Sequence, residues 1–556
     1  MKTKDKLIHI IDDTLSEAVR KGQITAKKIP PVELEVPKIT EHGDFSTNIA
    51  MILASMEKKS PRLIADTIIE SMGEHHSIIA KVEVAGPGFI NFFLTNEYWH
   101  SLLSDVEEQG SSYGQSKIGA GKNVQIEFVS ANPTGPLHIG HGRGAAVGDV
   151  LTNILKAVGF NVTREYYIND AGNQMETLGN SMFLRYLQLL GKDIDLPDNC
   201  YQGEYIRDMA GDIMLTHGDR YLNEPKEEVI QEFSTYAADR ILQGIKEDLN
   251  DFGVEFDEWF SEKTLFENNL VSEAVEELKN RGYIYLQDGA FWFKTTEFGD
   301  EKDRVVIRAN GQPTYFASDI AYHKGKLERN FHMIIDIWGA DHHGYVPRME
   351  SVIQALGKKK EVLRVVLIQL VNLLRDGRQV TMSTRSGEFD TLKEVMKEVG
   401  KDAARYFFLM RNSDSPLDFD LELAKKESTE NPVYYVQYAH ARISSILRLA
   451  DEQGLKVPGF KKIRIDLLSL PEEIALIKQI LKYPEVVEES ARSLEPHRIT
   501  AYLNELAGRF HGYYNRNRVI SDDPLMSIAR LFLVGITNVV IRNALGLLGV
   551  NAPEKM

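Results

Sequence analysis

Residues 131–141, with the sequence ANPTGPLHIGH, constrain the fold most strongly because they separate two contrasting patterns. The preceding residues 124–129 alternate in hydropathy and predict a strand, whereas the small-residue segment 142–156 predicts a helix. The prolines and glycine between them predict a tight turn. A helix start presents unpaired N–H groups and a positive dipole end, which suit a phosphate. His138 and His141 lie three residues apart, so both imidazoles share the helix face that meets this phosphate.

The composition is that of a soluble globular protein, with 43% apolar and 26% charged residues in 556 residues. This length predicts roughly three or four domains. The single cysteine, Cys200, excludes an intramolecular disulfide and a cysteine-based zinc site, and it suits a reducing compartment. The acidic residues of the first segment exclude a signal peptide, and the arginines within 528–550 favour a buried bundle helix over a membrane span. A net charge of −16 argues against indiscriminate nucleic-acid binding but permits a local basic face.

The chain divides into three regions by pattern. Residues 1–115 combine helical and strand-like pieces, which predicts an N-terminal α+β domain. Over 120–400 strands and helices alternate, which predicts a Rossmann-type parallel α/β sheet. Within it, the acidic and mostly helical stretch 171–302 is predicted to be an insertion, with a hairpin near its end. The periodicity over 413–556 is helical throughout and predicts an all-α bundle.

Two downstream segments place polar residues after predicted strands. Residues 334–344, IIDIWGADHHG, lead from a buried strand into Asp341, His342 and His343 at the sheet edge that binds ligands in α/β folds. On composition alone these three residues also fit a metal site. Residues 380–392, VTMSTRSGEFDTL, follow a predicted strand over 365–374, and alone they predict an ordinary polar loop.

The 131–141 turn resembles the HIGH signature of the class I aminoacyl-tRNA synthetases, and its surroundings resemble the arginyl subgroup. Segment 380–392 resembles the mobile KMSKS loop of these enzymes, with Met382, Ser383, Arg385 and Gly387 in register. The resemblance covers nearly the whole chain in the family's domain order. It implies a class I catalytic domain with insertion, an N-terminal additional domain and a C-terminal helical anticodon-binding domain.

The loop departs from the family pattern at both of its lysine positions, which are Thr381 and Thr384. Some arginyl enzymes that lack these lysines carry one just before the HIGH segment, but this chain has Gly135 there. In the family the lysines stabilise charge on the leaving pyrophosphate, a role that positioned cations perform well. The nearby cations that could replace them are Arg375, Arg378 and Arg385.

The resemblance implies one site for ATP with Mg²⁺ and one for L-arginine. The planar arginine fork needs matching carboxylates, and Asp319 with Tyr315 is implied to hold it while Glu127 assists. The residues implied to stabilise the reacting phosphates are His138, His141, Ser383 and Arg385. Those implied to contact ATP are His138, Gly140, His141, Gly339, Asp341, Met382 and Ser383. Those implied to contact arginine are Glu127, Ser130, Asn132, His141, Tyr315, Asp319 and His343.

Three further segments are implied to contact tRNA. Phe89 and Asn91 lie where family members place a stacking ring and a base-reading amide against the tRNA elbow. For Phe89, a place in the core is the alternative reading. In the helical domain, aromatic and basic residues at helical spacing combine stacking with phosphate contacts, although such rings also pack in cores. The residues concerned are Tyr434, Tyr438, Arg442, Arg516 and Arg518.

The implied function is ligation of L-arginine to tRNA(Arg) through an arginyl-adenylate, charging the 2′-hydroxyl of the terminal adenosine. The resemblance also implies that bound tRNA is required for amino-acid activation. We expect no zinc, no organic cofactor and no membrane partner, and we expect a cytoplasmic monomer. Three alternatives remain open at this point: a class I synthetase for another amino acid, a small HIGH-type nucleotidyltransferase, and a synthetase-like tRNA-binding protein that does not catalyse.

Overall fold

The computed structural model describes residues 3–26, 28–73, 77–380 and 391–556. These residues form two compact units. One contains Met1–Gly110, Ile446–Leu481 and Gly512–Thr537, and the other contains Ser111–Ser445, Lys482–His511 and Asn538–Met556. The central unit holds every described residue that is implied to contact ATP or arginine.

The first 110 residues combine helices with a small antiparallel sheet. In chain order the elements are α1 (Thr3–Arg20), β1 (Phe45–Thr47), α2 (Ile49–Glu57), α3 (Pro61–Met72), β2 (Ile79–Ala85), β3 (Phe89–Leu94), α4 (Asn96–Ser101) and α5 (Leu103–Gln109). Local signals set the helix starts: Ser60 caps α3 by accepting from the Leu63 N–H, and Pro61 occupies its first turn. The strand order is β1-β3-β2, and alternate residues of β3 are fully buried beneath the helices.

A five-stranded parallel sheet organises the central unit. Its first elements are β4 (Asn123–Glu127), α6 (Ile139–Ala157), β5 (Asn161–Ile168), α7 (Asn173–Leu189), α8 (Glu204–His217), α9 (Lys226–Asp251), β6 (Glu258–Ser261), α10 (Lys263–Glu267) and α11 (Leu270–Asn280). They are followed by β7 (Ile284–Gln287), β8 (Ala290–Phe293), β9 (Arg304–Ile307), α12 (Tyr315–Glu328), β10 (Met333–Gly339), α13 (Val346–Ala355) and β11 (Leu363–Ile368). The sheet order is β11-β10-β4-β5-β6, so the carboxyl ends of all five strands meet at one edge.

The stretch predicted as an insertion contributes a strand to this sheet. Strand β6 lies inside 171–302 and pairs in parallel with β5 at the sheet margin. Helices α7 to α9 of the stretch precede that strand, and α10 and α11 follow it. The predicted hairpin is confirmed, since β7 and β8 pair antiparallel and β9 extends them into a three-stranded sheet.

After β11 the chain forms a second small sheet and then helices. The elements are β12 (Val371–Arg375), β13 (Arg378–Gln379), α14 (Leu392–Val399), α15 (Lys401–Phe408), β14 (Leu417–Asp420), α16 (Leu421–Lys425), α17 (Pro432–Glu452), α18 (Pro471–Leu481), α19 (Tyr483–Ser493), α20 (His497–Arg516) and α21 (Pro524–Leu547). The single strand predicted over 365–374 is wrong, because β11 and β12 belong to different sheets. The expectation of helix from residue 413 is wrong at β14, where buried Leu417 and Phe419 alternate with aspartates in a strand pattern.

Helix α21 is the one described helix long and apolar enough, by length and composition, to span a membrane. In its most apolar window 56% is buried inside the structure, and a core helix meets the same criterion. Residues such as Leu533, Val534 and Ile541 are completely buried. The prediction of a buried bundle helix agrees with this packing.

Candidate functional site

The predicted strand, turn and helix are β4, residues 128–138 and α6. Helix α6 packs against the end of β4 at close range, because a Cβ atom on Gly148 would lie 2.2 Å from the Phe128 ring. Small residues along α6 therefore set the distance between the helix and the sheet. The N-terminus of α6 is thereby fixed at the edge where the strands end.

His138 and His141 form a capping box at the start of α6. The Gly140 N–H donates to His138 Nδ1 at 3.1 Å, and the His138 N–H donates to His141 Nδ1 at 3.3 Å. The two rings stack with centroids 3.7 Å apart. A Cβ atom on residue 140 would lie 2.9 Å from the His138 ring, so Gly140 makes room for the imidazole itself. Gly140 therefore accommodates the histidine ring, in addition to its implied contact with ATP.

Both histidines are neutral hydrogen-bond donors in this arrangement. Burial lowers the pKa of His138, and burial together with the neighbouring His138 lowers the pKa of His141 to about 3. Because each Nδ1 accepts a backbone hydrogen bond, the ring proton of each imidazole is on Nε2. The start of α6 therefore offers Nε2–H donors rather than imidazolium cations to a phosphate.

The polypeptide on both sides of segment 381–390 is anchored near α6. Thr391 forms an antiparallel bridge with His138, and the Leu392 N–H donates to the Leu137 carbonyl at 2.8 Å. Thr391 and Glu394 also form a capping box at the start of α14. Buried Arg143 of α6 donates to the carbonyls of Gln369, Asn412 and Ser415, each at 2.9 Å. These carbonyls lie in the loops that lead into β12 and β14.

The predicted loop residues Met382, Ser383 and Arg385 lie outside the described residues, as do Thr381, Thr384 and Gly387. Of the other candidate cations, Arg375 pairs with Glu398 through two hydrogen bonds of 2.8 and 3.0 Å. Arg378 is exposed on the neighbouring strand β13. At Gly135, a Cβ atom would lie 3.0 Å from the Tyr205 hydroxyl, so that hydroxyl fills the space next to this position.

The backbone between β4 and the turn is strained. Val129 and Ser130 have φ angles of +67° and +41°, a region that β-branched residues rarely adopt. The conformation lets Ser130 Oγ donate back to Glu127 Oε1 at 2.9 Å, while the Tyr167 N–H donates to Ser130 Oγ at 3.1 Å. The hydrogen bonds that this strained backbone permits fix Glu127, the last carboxylate of β4, at the ligand edge of the sheet.

Glu127 has a cationic partner that the sequence analysis missed. Lys326 Nζ of α12 donates to Glu127 Oε2 at 2.5 Å and to Asp336 Oδ1 at 2.7 Å. Burial raises the pKa of Glu127, against the opposing effect of Lys326. The carboxylate expected to assist with a substrate guanidinium is therefore already paired with a resident ammonium group.

Asp319 faces a second carboxylate that the sequence analysis also missed, Glu262. Asp319 lies one turn after Tyr315 on α12 and accepts a short hydrogen bond from the Tyr345 hydroxyl. Glu262 follows β6, is 4% exposed, and has one carboxylate oxygen buried without a hydrogen-bond partner in the described structure. Burial, and next the charge of Asp319, raises the pKa of Glu262 to about 7.

Among the described side chains, the hydrogen-bond partners of these two carboxylates are hydroxyl groups. Hydrogen bonds from Tyr167 and Ser318 partly oppose the raised pKa of Glu262. Burial also raises the pKa of Asp319. Among the described side chains, neither carboxylate forms a salt bridge. Buried Glu262 and half-buried Asp319, with no salt-bridge partner among the described side chains, suit a planar cation with several N–H donors.

The remaining predicted arginine contacts are spread around this edge. Tyr315 is 59% exposed at the start of α12. The Asn132 amide donates to Gln174 Oε1 at 2.8 Å in the turn. His343 lies exposed in a short 3-10 helix, where its Nδ1 is 3.1 Å from the Ala340 carbonyl. The structure therefore brings Glu127, Ser130 and Asp319 to strand ends and one helix face, while among the described hydrogen bonds His343 joins Ala340 rather than any of these three.

Gly339 and Asp341, two of the residues implied to contact ATP, lie where β10 ends. Gly339 is its last residue, and a Cβ atom there would lie 2.5 Å from Asp341 Oδ1. Asp341 and His342 are exposed, with 3.6 Å between His342 Nε2 and Asp341 Oδ2. The metal alternative has no support in the described residues, which contain no group of three or more suitable side chains.

The predicted elbow-binding residues lie on β3. Phe89 is half-buried at its start, whereas Asn91 is only 2% exposed. The Asn91 amide oxygen accepts from Ser46 Oγ of β1 at 2.7 Å. As placed, Asn91 is a buried cross-strand partner of Ser46 rather than an exposed base-reading amide.

The predicted aromatic face of α17 is an ordered stack. The Tyr434 and Tyr438 rings are parallel within 16°, with centroids 6.0 Å apart, and Arg442 donates to the Tyr438 hydroxyl at 2.6 Å. All three side chains are half-buried. His440, on the same helix, is buried, with Nδ1 2.9 Å from the Pro553 carbonyl. Arg516 and Arg518 are exposed at and beyond the end of α20.

Comparisons with known proteins match the entire architecture. The model of the class I (R) tRNA synthetase catalytic domain matches residues 103–443. The model of the arginyl-tRNA synthetase N-terminal domain matches residues 5–94, and that of the DALR anticodon-binding domain matches residues 436–556.

Individual relatives and solved structures agree with these matches. The chain is 56% identical to an arginine–tRNA ligase of Syntrophotalea carbinolica over 553 residues, which is 100% of both chains. The crystal structure of a Campylobacter jejuni protein assigned as an arginyl-tRNA synthetase is 36% identical, with a TM-score of 0.76 over 83% of this chain and 100% of that one. The Thermus thermophilus arginyl-tRNA synthetase, at 22% identity and a TM-score of 0.76 over 100% of both chains, has the same fold.

Proposed function

Because this chain belongs to the arginyl-tRNA synthetase family of class I aminoacyl-tRNA synthetases, we propose how its residues divide the work of charging tRNA(Arg). The enzyme ligates L-arginine to tRNA(Arg) at the expense of ATP, through an arginyl-adenylate, and charges the 2′-hydroxyl of the terminal adenosine. The alternatives of another amino acid and of a non-catalytic RNA-binding protein are not favoured.

In this proposal the guanidinium group of arginine binds between Asp319 and Glu262. The supporting observation is that buried Glu262 and half-buried Asp319 lie close enough for the charge of Asp319 to raise the pKa of Glu262, while neither forms a salt bridge among the described residues. Tyr315, at the open end of the same helix, adds a hydroxyl. Glu127, Ser130 and Asn132, at the end of β4, then serve the α-amino and carboxylate end of the substrate, together with His141 and His343.

ATP with Mg²⁺, as the substrate complex, binds over the start of α6. The Nε2–H groups of His138 and His141 donate to phosphate oxygens, and Gly140, Gly339 and Asp341 lie along the adenosine. Because both rings are neutral, they stabilise charge that develops on the phosphates by hydrogen bonding from fixed positions. Met382, Ser383 and Arg385 complete the clamp on the leaving pyrophosphate.

The reaction needs no dedicated side-chain base. The arginine carboxylate attacks the α-phosphorus of ATP, and the bond to the bridging oxygen of pyrophosphate breaks. The tRNA 2′-hydroxyl then attacks the carbonyl carbon of the adenylate, releasing AMP. Both steps depend on holding the reactants in line and on stabilising the charge of the leaving group.

The tRNA contacts and the domain assignments belong to the same proposal. Residues 1–115 meet the tRNA elbow, 120–400 catalyse, and 413–556 bind the anticodon. The half-buried ring of Phe89 supplies a stacking surface, while Asn91 contributes only if its bond to Ser46 is exchanged. The remaining contacts are Tyr434, Tyr438, Arg442, Arg516 and Arg518. The enzyme acts as a cytoplasmic monomer and activates arginine only with tRNA bound.

Arginine-dependent ATP–pyrophosphate exchange, measured with and without tRNA(Arg), tests the assignment of the guanidinium site. We expect exchange only with tRNA, and we expect Glu262→Gln and Asp319→Asn each to raise the arginine KM about 30–100-fold, since each loses a charge-assisted contact. The ATP KM should stay within about twofold. Glu267→Gln is the matched control, because this carboxylate lies exposed on the neighbouring helix α10. An unchanged arginine KM in both variants would place the guanidinium elsewhere.

A further inference from the structure

Three carboxylates form a row across the middle of the catalytic sheet. The strand register places Asp336 of β10 beside Glu127 of β4, and Glu127 beside Glu165 of β5. All three residues are buried, with Asp336 and Glu165 completely so. Neighbouring like charges in a sheet destabilise it unless cations cover them.

Helix α12 supplies the covering groups from a single face. Tyr322 and His323 lie four and three residues before Lys326, and Arg329 lies three residues after it, just beyond the helix end. At this spacing all four share one side of the helix. Asp319 lies on the same side, one turn before His323. The helix that carries the proposed guanidinium ligand therefore also carries the cations of this layer.

Each carboxylate of the row has its own partners. Arg329 donates to both oxygens of Glu165, at 2.5 and 3.0 Å, and the Tyr322 hydroxyl donates to the same carboxylate at 2.5 Å. His323 Nε2 lies 2.9 Å from Asp336 Oδ2. Glu127, by contrast, has one cationic contact in the described structure, the ammonium group of Lys326, and shares it with Asp336.

The environment of Lys326 favours the charged form of its side chain. The side chain has no exposed surface, and its Nζ lies 4.3 Å from the centre of the Tyr322 ring. Burial alone would lower the pKa of Lys326, but Asp336, Glu127 and Glu165 outweigh it and raise the pKa. The same contacts hold the pKa of Asp336 down at about 2 against its burial.

We propose that Lys326 is a positioning residue for arginine activation: its ammonium group holds the Glu127 carboxylate in place at the end of β4, beside the helix that carries Asp319. The inference rests on the proposed function in taking Glu127 to contact the substrate. With Lys326 in place, Glu127 is fixed by Ser130 Oγ on one oxygen and by the ammonium on the other. The ammonium does not touch substrate and acts through Glu127.

The proposal also gives the pocket its cation selectivity. Lys326 occupies the space between Glu127 and Asp336, so a substrate guanidinium cannot enter the carboxylate row. The Asp319–Glu262 pair is left as the place for the side chain of arginine, and the end of β4 as the place for its α-amino group. The resident cation thus sets the orientation in which arginine binds.

The test uses the full-length double variant Lys326→Met/Asp336→Asn. It removes one positive and one negative charge, so the net charge of the layer is conserved while Glu127 loses its cation. We expect the arginine KM to rise at least tenfold in tRNA-dependent exchange, with the ATP KM and the tRNA Kd within twofold of wild type. Lys324→Met is the matched control, since Lys324 lies on the outer side of α12 and pairs with Glu328 and Glu277. It should leave all three constants unchanged.

The pH profile separates positioning from structural support. Without its cation, Glu127 holds its proton to higher pH, so the ratio of variant to wild-type arginine KM should fall between pH 7 and pH 9. The titratable or charged groups that face Glu127 are Tyr322, His323 and Lys326 from α12, Asp336 from β10, and Glu165 and Tyr167 from β5. A purely structural role would change the active fraction and the unfolding midpoint but not this ratio.

The outcomes are distinct. Lys326→Gln is the second variant, because glutamine keeps a hydrogen-bonding group and loses the charge. Thermal unfolding shows which of the two variants is folded, and that variant is assayed. A folded variant of either kind with a wild-type arginine KM, or with a KM ratio independent of pH, overturns the proposal. If wild-type enzyme shows no arginine-dependent exchange with tRNA(Arg), the proposed function fails instead, whatever the variants do.

Discussion

Individual carboxylates decide how this site recognises a cation. Five buried or half-buried acidic groups lie near the strand ends: Glu127, Glu165, Glu262, Asp319 and Asp336. Three of them are paired with Lys326, Arg329 or His323, and the other two form no salt bridge among the described residues. Buried charges without partners are costly, so a pair left without a cation is expected where a substrate supplies one.

At this scale we expect arginine affinity to increase with pH around neutrality. The pKa of Glu262 is raised to about 7 by burial and Asp319, so below pH 7 the carboxyl holds a proton that guanidinium binding must displace. The arginine KM should therefore fall roughly tenfold between pH 6 and pH 8. Steady-state exchange kinetics across this range measure the effect. Glu262→Gln should flatten most of the profile, and an equally steep profile in that variant would assign the titration to another group.

The same carboxyl links stability to pH in a defined direction. A carboxyl whose folded pKa lies above its ordinary value of 4.5 costs stability as pH rises through 4.5 towards 7, because the folded state then gives up its proton with difficulty. We expect Glu262→Gln to stabilise the protein at pH 8, by up to about 3 kcal/mol, and to have little effect at pH 4. Chemical denaturation at the two pH values checks the sign. Destabilisation at pH 8 would contradict it.

At the scale of elements, helix α6 connects the nucleotide site to the sheet. Its N-terminus carries both histidines, its buried Arg143 binds three loop carbonyls, and its glycines allow close packing. Burial lowers the pKa of Arg143 to about 10, which still leaves the guanidinium charged at neutral pH. The position of His138 and His141 is thus set by contacts along the helix as well as at its start.

Two glycines of α6 should respond oppositely to the same substitution. A Cβ atom on Gly148 would lie 2.2 Å from the Phe128 ring, whereas one on Gly144 would have no atom within 4 Å in the described structure beyond its chain neighbours and its own helix backbone. Gly148→Ala should destabilise by about 1–3 kcal/mol through overpacking. Gly144→Ala should be neutral or stabilise by up to about 1 kcal/mol, since alanine favours helix. Thermal unfolding of the two variants side by side measures the difference. Equal midpoints would mean that the helix shifts freely on the sheet.

At the scale of the whole molecule, an acidic protein must bind an acidic partner. The net charge of −16 opposes tRNA at long range, so affinity depends on local cations. Arg442 is held over the Tyr438 ring at 4.5 Å, while Arg516 and Arg518 are exposed. We expect tRNA affinity to fall steeply with salt despite the negative net charge.

Removing two of these cations should change the salt dependence of tRNA affinity by a defined amount for each cation. Arg516→Gln/Arg518→Gln should weaken tRNA binding and reduce the slope of log affinity against log salt by about 2, one for each lost phosphate contact. Arg509→Gln is the control, because Arg509 forms two hydrogen bonds of 3.1 and 2.8 Å with Glu505 of its own helix, whereas Arg516 has a longer contact of 3.4 Å with Glu472. Filter binding or anisotropy over a range of salt measures the slopes. An unchanged slope in the double variant would remove both arginines from the tRNA interface.

What the sequence determined by itself was local. Residues 131–141 specified strand, turn and helix because proline, glycine and small residues restrict the backbone within a few positions. The histidine spacing likewise placed two rings on one helix face, and the pattern near the end of the 171–302 stretch predicted a hairpin. The class of fold and the order of domains follow from such patterns, and so does the resemblance to the family.

The tertiary structure alone decided which charges meet. Glu127, Glu165 and Asp336 lie on three strands far apart in sequence, and only the sheet register makes them neighbours. Glu262 directly follows a four-residue strand inside a stretch whose composition predicts helix, so nothing local marked it as a candidate site residue. The polar stripe Asp319, His323 and Lys326 at helical spacing was the one local signal available. Electrostatic energies depend on distance and burial, and both are set by packing between distant segments rather than by sequence neighbours.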